Sequence, residues 1–269
     1  MPYPKGSLNL NRERDYPLLE RLGRSGFATH SQLFEFMQIA GRETSRQSFN
    51  WRVLRLVQHN LIRRQNLPRL GAEHVYALTT DGSVCLEGAE DRFALISLAK
   101  RRDRRQQGSI YHSLELNDIE LSIARQKLLA HWVSAVEIRS ENELTHFATY
   151  RKDYDAIATL RLDGREIRCA LEYERTAKAR REYDQIAETI KAEQHVDHFL
   201  YLTANERLLR FVSWSFRNLN CQVYFGMVGR WHDMLLDMPV FSWKARRYVP
   251  LNMALADSDR AVSNHRLVR

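Results

Sequence analysis

Tyr154-Asp-Ala-Ile-Ala-Thr-Leu-Arg-Leu162, Asp163-Gly164, Arg165-Glu-Ile-Arg-Cys-Ala-Leu-Glu-Tyr-Glu174 is the stretch that decides the fold. Two alternating runs flank an Asp-Gly pair, the signature of a β-hairpin closed by a type I′ turn with both loop residues at positive φ. A two-residue loop sets the register: Leu162 faces Arg165, so Tyr154 faces Tyr173, Ala156 faces Leu171, Ala158 faces Cys169 and Leu160 faces Ile167. This face is the expected core. On the other face Arg161 meets Glu166, Ile157 meets Ala170, Asp155 meets Glu172 and Asp153 meets Glu174, which gathers four carboxylates at one end. Opposed Cβ atoms lie roughly 4.5–5.5 Å apart, and like charges there are destabilising. A cation relieves that repulsion, and hard oxygen ligands at this spacing suit Mg²⁺ or Mn²⁺, which polarises a phosphate and lowers the pKa of a bound water. The alternative is a solvated acidic face whose side chains splay apart in water, as the Arg161–Glu166 pair on the same face illustrates.

Upstream, Ile110 to Trp132 has helical period, with Ile110, Leu114, Leu121, Ala124 and Leu128 in one stripe. Polar Asn117 interrupts that stripe, and Glu120 is its neighbour three residues on. Strands are expected at 133–138, 145–150, 199–202 and 222–225, and helices at 176–194 and 206–218, in addition to the hairpin. That order predicts an α/β (α+β) domain over residues 110–256, with a mixed central sheet flanked by helices. A polar tail follows at 257–269.

The first 92 residues predict a winged helix. A short helix from Asp15 is stopped near Gly23 and Gly26, Thr29 caps a second helix over 30–40, and Thr44 or Ser45 caps a third over 46–60. Two strands, 61–65 and 75–79, then flank a loop holding Pro68, Arg69 and Gly71. In a winged helix the third helix enters the major groove and the hairpin reaches phosphate. Arg46, Gln47, Asn50, Arg52 and Arg55 are the expected base-reading face, and Arg63, Arg64 and Arg69 the expected backbone contacts. A winged helix used for protein contact is the alternative. Lys100-Arg-Arg-Asp-Arg-Arg105 lies in a basic linker over 93–109, either a solvated tether or a further phosphate contact.

Charge distribution agrees with that division. The 269-residue chain carries a formal +8, of which residues 1–107 hold +7 (18 Lys/Arg against 11 Asp/Glu) and the remainder +1 (23 against 22). A polyanionic partner therefore belongs with the N-terminal third. No run of 18 apolar residues and no signal-peptide pattern occurs, and three scattered cysteines form neither a disulfide framework nor a zinc site. A cytoplasmic protein without membrane insertion is expected. Glycine-rich phosphate loops and G-x-S-x-G elbows are absent, which argues against nucleotide hydrolysis and esterase chemistry. His195 and His198 are read as surface or capping residues rather than a metal pair.

Asp155 at the start of one strand, a hairpin, and Glu172-x-Glu174 on the next resemble the PD-(D/E)XK restriction-endonuclease-like signature, with a leading helix bearing Glu120. More narrowly, a winged helix followed by His112-Ser-Leu-Glu-Leu-Asn117-Asp118 and that hairpin resembles the plasmid replication-relaxation proteins and MOBC-type relaxases, over residues 15–215. The resemblance implies that Asp155, Glu172 and Glu174 ligate metal, that Glu120 or Asn117 supports the site, and that His112 stands near DNA. Glu174 holds the place where the signature often has a lysine, and Lys178 is the expected substitute. By resemblance such a protein nicks one strand of duplex DNA at a transfer origin for plasmid mobilisation. Its implied partners are the nicked DNA, a type IV secretion coupling protein and an accessory mobilisation protein. Tyr150, Tyr154, Tyr173 and Tyr183 are the tyrosines available to hold a cut end, although aromatic residues beside a sheet are usually core. A regulator of replication or transcription that keeps a nuclease-like fold only for binding is the main alternative, and a defence-associated nuclease a third reading.

Overall fold

A computed structural model describes residues 9–87, 110–144, 149–219 and 221–256. The chain is mixed α/β and divides into two compact units, Met1–Leu121 and Ser122–Arg269. No helix among the described residues is long and apolar enough to cross a membrane.

The first unit runs α1 (Asp15–Ser25), β1 (Ala28–Thr29), α2 (His30–Ile39), α3 (Arg46–Gln58), β2 (Ile62–Asn66), β3 (His74–Leu78) and α4 (Thr80–Glu87). The three strands form an antiparallel sheet in the order β1-β3-β2. The helix starts follow the sequence signals. Thr29 and Gln32 make a reciprocal capping box, Thr29 Oγ1 accepting from the Gln32 amide at 3.2 Å and Gln32 Oε1 from the Thr29 amide at 3.0 Å. Ser45 Oγ accepts from the Ser48 amide at 3.3 Å and opens α3. Leu18, Leu19, Leu22, Leu33, Phe49 and Leu56 are fully buried between the helices.

A further helix, α5 (Ile110–Arg125), contains the division point between Leu121 and Ser122. Its first turns belong to the first unit: Leu114 clusters with Phe27, Val75 and Ala77, and Gln32 Nε2 donates to the Leu114 carbonyl at 2.8 Å. The expectation that residue 110 opens the second domain is thus displaced by about three helical turns. The basic linker at 93–109 and the tail at 257–269 lie outside the described residues.

The second unit holds β4 (Leu129–Ser134), α6 (Ala135–Leu144), β5 (Ala156–Leu162), β6 (Arg165–Glu174), α7 (Arg180–Lys191), β7 (His198–Thr203), α8 (Glu206–Ser215), β8 (Val223–Met227), α9 (Val228–Met234), β9 (Pro239–Ser242), β10 (Arg247–Pro250) and α10 (Leu251–Ala256). Its seven-stranded mixed sheet has the order β10-β9-β8-β7-β6-β5-β4, with β6-β7 and β7-β8 parallel and the other pairs antiparallel. All six residues of β7 are buried, as a central parallel strand covered on both faces requires. The β5–β6 hairpin has the expected register, Ala156 opposite Leu171 through Leu162 opposite Arg165, and its turn residues Asp163 and Gly164 take φ of +50° and +76°.

Two expected elements change. The helix expected to reach Trp132 stops at Arg125, where Lys127 adopts φ +57° and β4 follows. The strand expected over 133–138 is instead β4 giving way to α6: Glu137 Oε2 accepts from both the amide and the hydroxyl of Ser134 at 2.9 Å, which starts a helix. Most of the strand expected at 145–150 lies outside the described residues.

Candidate functional site

The hairpin register puts Glu172 and Glu174 on the same face of β6 as Ala170, and the parallel ladder sets Tyr201 beside Glu172 and Thr203 beside Glu174. That face is not solvated. Ile157, Ala170, Phe199 and Tyr201 join Tyr183 and Leu209 in one buried cluster on it, while Ala156, Ala158, Cys169 and Leu171 are buried on the opposite face. Glu172 and Glu174 are each only 4% exposed. The solvated acidic face is therefore overturned, because the sheet is covered on both sides at this end and the carboxylates have to find partners inside it.

They do so with lysines. Lys152 Nζ pairs with Glu172 Oε1, and Lys178 Nζ donates to Glu174 Oε1 at 2.5 Å. Asp155, one residue before β5, accepts from the Tyr173 amide through Oδ2 at 2.8 Å. Asp153, the fourth expected carboxylate, leaves the group: its Oδ1 accepts from Asn142 Nδ2 at 2.9 Å and Oδ2 lies 3.6 Å from Arg139 Nε. Strand pairing stops at Ala156, so the ladder does not carry residue 153 to Glu174.

Glu172 thus lies between two ammonium groups that favour its charged form and the Asp155 carboxylate that opposes it. Burial pushes the Glu172 carboxyl up to about 7; Lys152 opposes the shift and Asp155 reinforces it. Burial alone would lower the Lys178 ammonium, yet Glu172 and Glu174 outweigh it and hold the proton more firmly. Tyr201, fully buried, has a hydroxyl without a hydrogen-bond partner among the described residues, and burial together with Glu172 and Glu174 drives its pKa well upward.

All-oxygen donors match a hard divalent cation by chemistry. Among the described residues, however, no group of three or more His, Cys, Asp or Glu is set to hold one. Two lysine ammonium groups occupy the cation positions at Glu172 and Glu174, so an entering ion would displace at least one of them. Lys152 and Tyr201 are absent from the residues chosen by sequence. Lys152 stands three residues before Asp155 and was legible there; Tyr201 becomes a neighbour only through the β6–β7 register.

The helix residues expected to support this site have partners in the first unit. Asn117 Nδ2 donates to the Phe27 carbonyl at 2.8 Å and approaches Gln32 Oε1 at 3.3 Å. Glu120 accepts from both terminal nitrogens of Arg21. His112 is half-buried on the same helix. Tyr150, Tyr154, Tyr173 and Tyr183 are all at most 7% exposed, as core aromatics are. His198 is fully buried at the start of β7, where burial lowers its pKa to about 4, whereas His195 is exposed.

The eight chosen DNA-contact residues of the first unit fall into two groups. Arg46, Gln47, Asn50, Arg63, Arg64 and Arg69 are exposed. The Arg46 guanidinium lies over the Phe34 ring at 4.4 Å, and Asn50 Oδ1 lies 2.8 Å from His30 Nε2. Arg52 and Arg55 turn inward: Arg52 Nη1 donates to Asp15 Oδ1 at 2.9 Å, its Nη2 to Glu43 Oε2 at 3.2 Å, and Arg55 pairs with the other Asp15 oxygen. Position 52 follows Phe49 by three and precedes Leu56 by four, which puts it on the buried stripe. The exposed face of α3 instead includes Trp51 and Leu54, 63% and 50% exposed.

No protein-family model, curated protein or solved structure matches this chain.

Proposed function

We propose that this protein is a metal-dependent DNA-nicking enzyme of the relaxase type, with a winged helix that finds duplex DNA and a restriction-endonuclease-like unit that cuts one strand. The observation that carries the reading is the cluster at the end of the β5–β6 hairpin in which buried Glu172 and Glu174 meet half-buried Asp155, Lys152 and Lys178. A buried carboxyl raised to about 7 among charged neighbours is the kind of perturbed group that marks chemistry more than scaffold. The order α1-β1-α2-α3-β2-β3, the β1-β3-β2 sheet and exposed Arg46, Arg63, Arg64 and Arg69 support the DNA-binding half.

In this reading Asp155, Glu172 and Glu174 would hold Mg²⁺ or Mn²⁺ once Lys152 gives way at Glu172, and the ion would supply Lewis acidity at the phosphate. Glu174 holds Lys178, whose ammonium orients the attacking water. The proton that Glu172 holds near neutral pH in the metal-free protein would leave on binding of the ion. A transfer origin as target, and a secretion coupling protein and an accessory mobilisation protein as partners, follow from the relaxase resemblance.

A second reading, a non-catalytic DNA-binding regulator, is favoured by the two lysines that already neutralise Glu172 and Glu174. Supercoiled plasmid with Mn²⁺ separates the two. The nicking enzyme yields open circles, and Asp155→Ala and Glu172→Ala lower that rate at least about 100-fold with duplex binding retained. Full activity of Asp155→Ala, or no open circles from the wild type, ends the nuclease reading.

A further inference from the structure

Glu174, Thr203 and Met227 are successive partners across β6, β7 and β8, and so stand in one row on one face of the sheet. They mark the carboxyl ends of the parallel strands, the edge at which open α/β sheets bind ligands. Next to Met227 is a cavity of about 370 Å³ lined by Glu206, Leu209, Met227, Arg230, Pro239 and Tyr248. Two inter-strand spacings separate its Met227 wall from Glu174, roughly 10 Å.

The lining is apolar apart from Glu206 and Arg230. Leu209, Met227, Pro239 and the Tyr248 ring supply the walls, and Tyr248 is braced edge-on against Phe241 with ring centres 5.5 Å apart. Tyr248 is half exposed, so a flat ligand can reach its ring. Glu206 is drawn to Arg210 in an exposed pair at 2.7 Å, one turn along α8. Arg230, exposed at the start of α9, has no ion pair or side-chain hydrogen bond among the described residues. A flat apolar group joined to an anion fits such a pocket, and a cavity near 300 Å³ or more is of the size that takes a small ligand.

We infer that this pocket takes one unpaired nucleotide of the DNA strand, its base against Tyr248 and its phosphate at Arg230, beside the carboxylate cluster. The inference rests on the nuclease reading for its substrate class and makes that substrate single-stranded at the site. A base held there has left the duplex stack, and bases so extruded are gripped by stacking on aromatic side chains.

The test is equilibrium binding by full-length protein in EDTA, where no cleavage occurs, with fluorescein-labelled oligodeoxythymidylate and, separately, a mixed-sequence duplex. Tyr248→Ala weakens single-strand binding about tenfold, Tyr248→Phe retains it, and duplex binding is unchanged by either. Arg230→Gln lowers the slope of log affinity against log salt by about 0.7 on the single strand. Unchanged single-strand binding in Tyr248→Ala, or equal loss on both DNA forms, overturns the inference. Binding in EDTA is read independently of nicking, so a wild type that never nicks but follows this pattern removes the nuclease and keeps the pocket. A nicking wild type whose Tyr248→Ala variant binds normally does the reverse.

Discussion

Two charge clusters in this protein, each built on two buried acids, use the same ingredients to opposite effect. In the first unit Asp15 and Glu43 meet Arg52 and Arg55, acids and cations in equal number. Burial raises the Glu43 carboxyl, but the Ser45 and Thr44 amides and Arg52 outweigh it and hold it below the usual range. In the second unit Glu172 pairs with Lys152 and Glu174 with Lys178, Asp155 stands beside them, the Tyr201 hydroxyl has no hydrogen-bond partner among the described residues, and Glu172 is pushed up to about 7. A closed network is scaffold, and one that holds a raised carboxyl is poised to take a further positive charge.

The sharpest way to break this comparison is Asp15→Ala, which leaves buried Arg52 with Glu43 alone and takes the Asp15 carboxylate from half-buried Arg55. The loss expected is about 3–5 kcal/mol of unfolding free energy in the transition of the first unit, read by urea denaturation. A loss under about 1 kcal/mol would make the cluster no more than a surface ion pair.

Asp155→Asn tests the other side. Its remaining carbonyl oxygen still accepts from the Tyr173 amide while one charge is removed, so the metal-free variant melts no lower than wild type. Mn²⁺ at a hundredfold excess over its Kd stabilises the wild type by about 2.7 kcal/mol and the variant by much less. Equal stabilisation of both would make Asp155 an ordinary structural residue.

The smallest effect is in pH. Glu172 has a folded pKa of about 7 against an ordinary 4.5, so between these values the folded state holds the extra proton and stability falls as pH rises. The penalty is complete above about 7 and is regained as pH falls toward 4.5. Glu172→Gln cannot ionise, so its melting temperature relative to wild type rises by a few degrees from pH 5 to pH 8. A difference that is flat across that window would remove the contrast with Glu43.

The hairpin and the helix caps were legible because each depends on residues close in sequence. Asp163-Gly164 dictated the turn, and the turn dictated the register. Ser134-Ala-Val-Glu137 carried a capping-box signal for α6 that the apolar run from Val133 obscured. Arg52 was legible too: helical period puts it on the Phe49–Leu56 stripe, where a charge has to be paired.

The sequence by itself determined the mixed α/β class, the three-helix and hairpin order of the first unit, and the meeting of Asp155 and Glu172 at one hairpin end. Only the tertiary structure decided that α7 and α8 help cover the acidic face, so that Glu172 and Glu174 are buried against lysines. It also decided that Asn117 and Glu120 bind the first unit, and that Tyr201 stands beside Glu172. The reason is physical. Turn and period are properties of neighbouring residues, whereas burial and charge pairing depend on chain segments tens of residues apart, and no local pattern specifies which segment arrives.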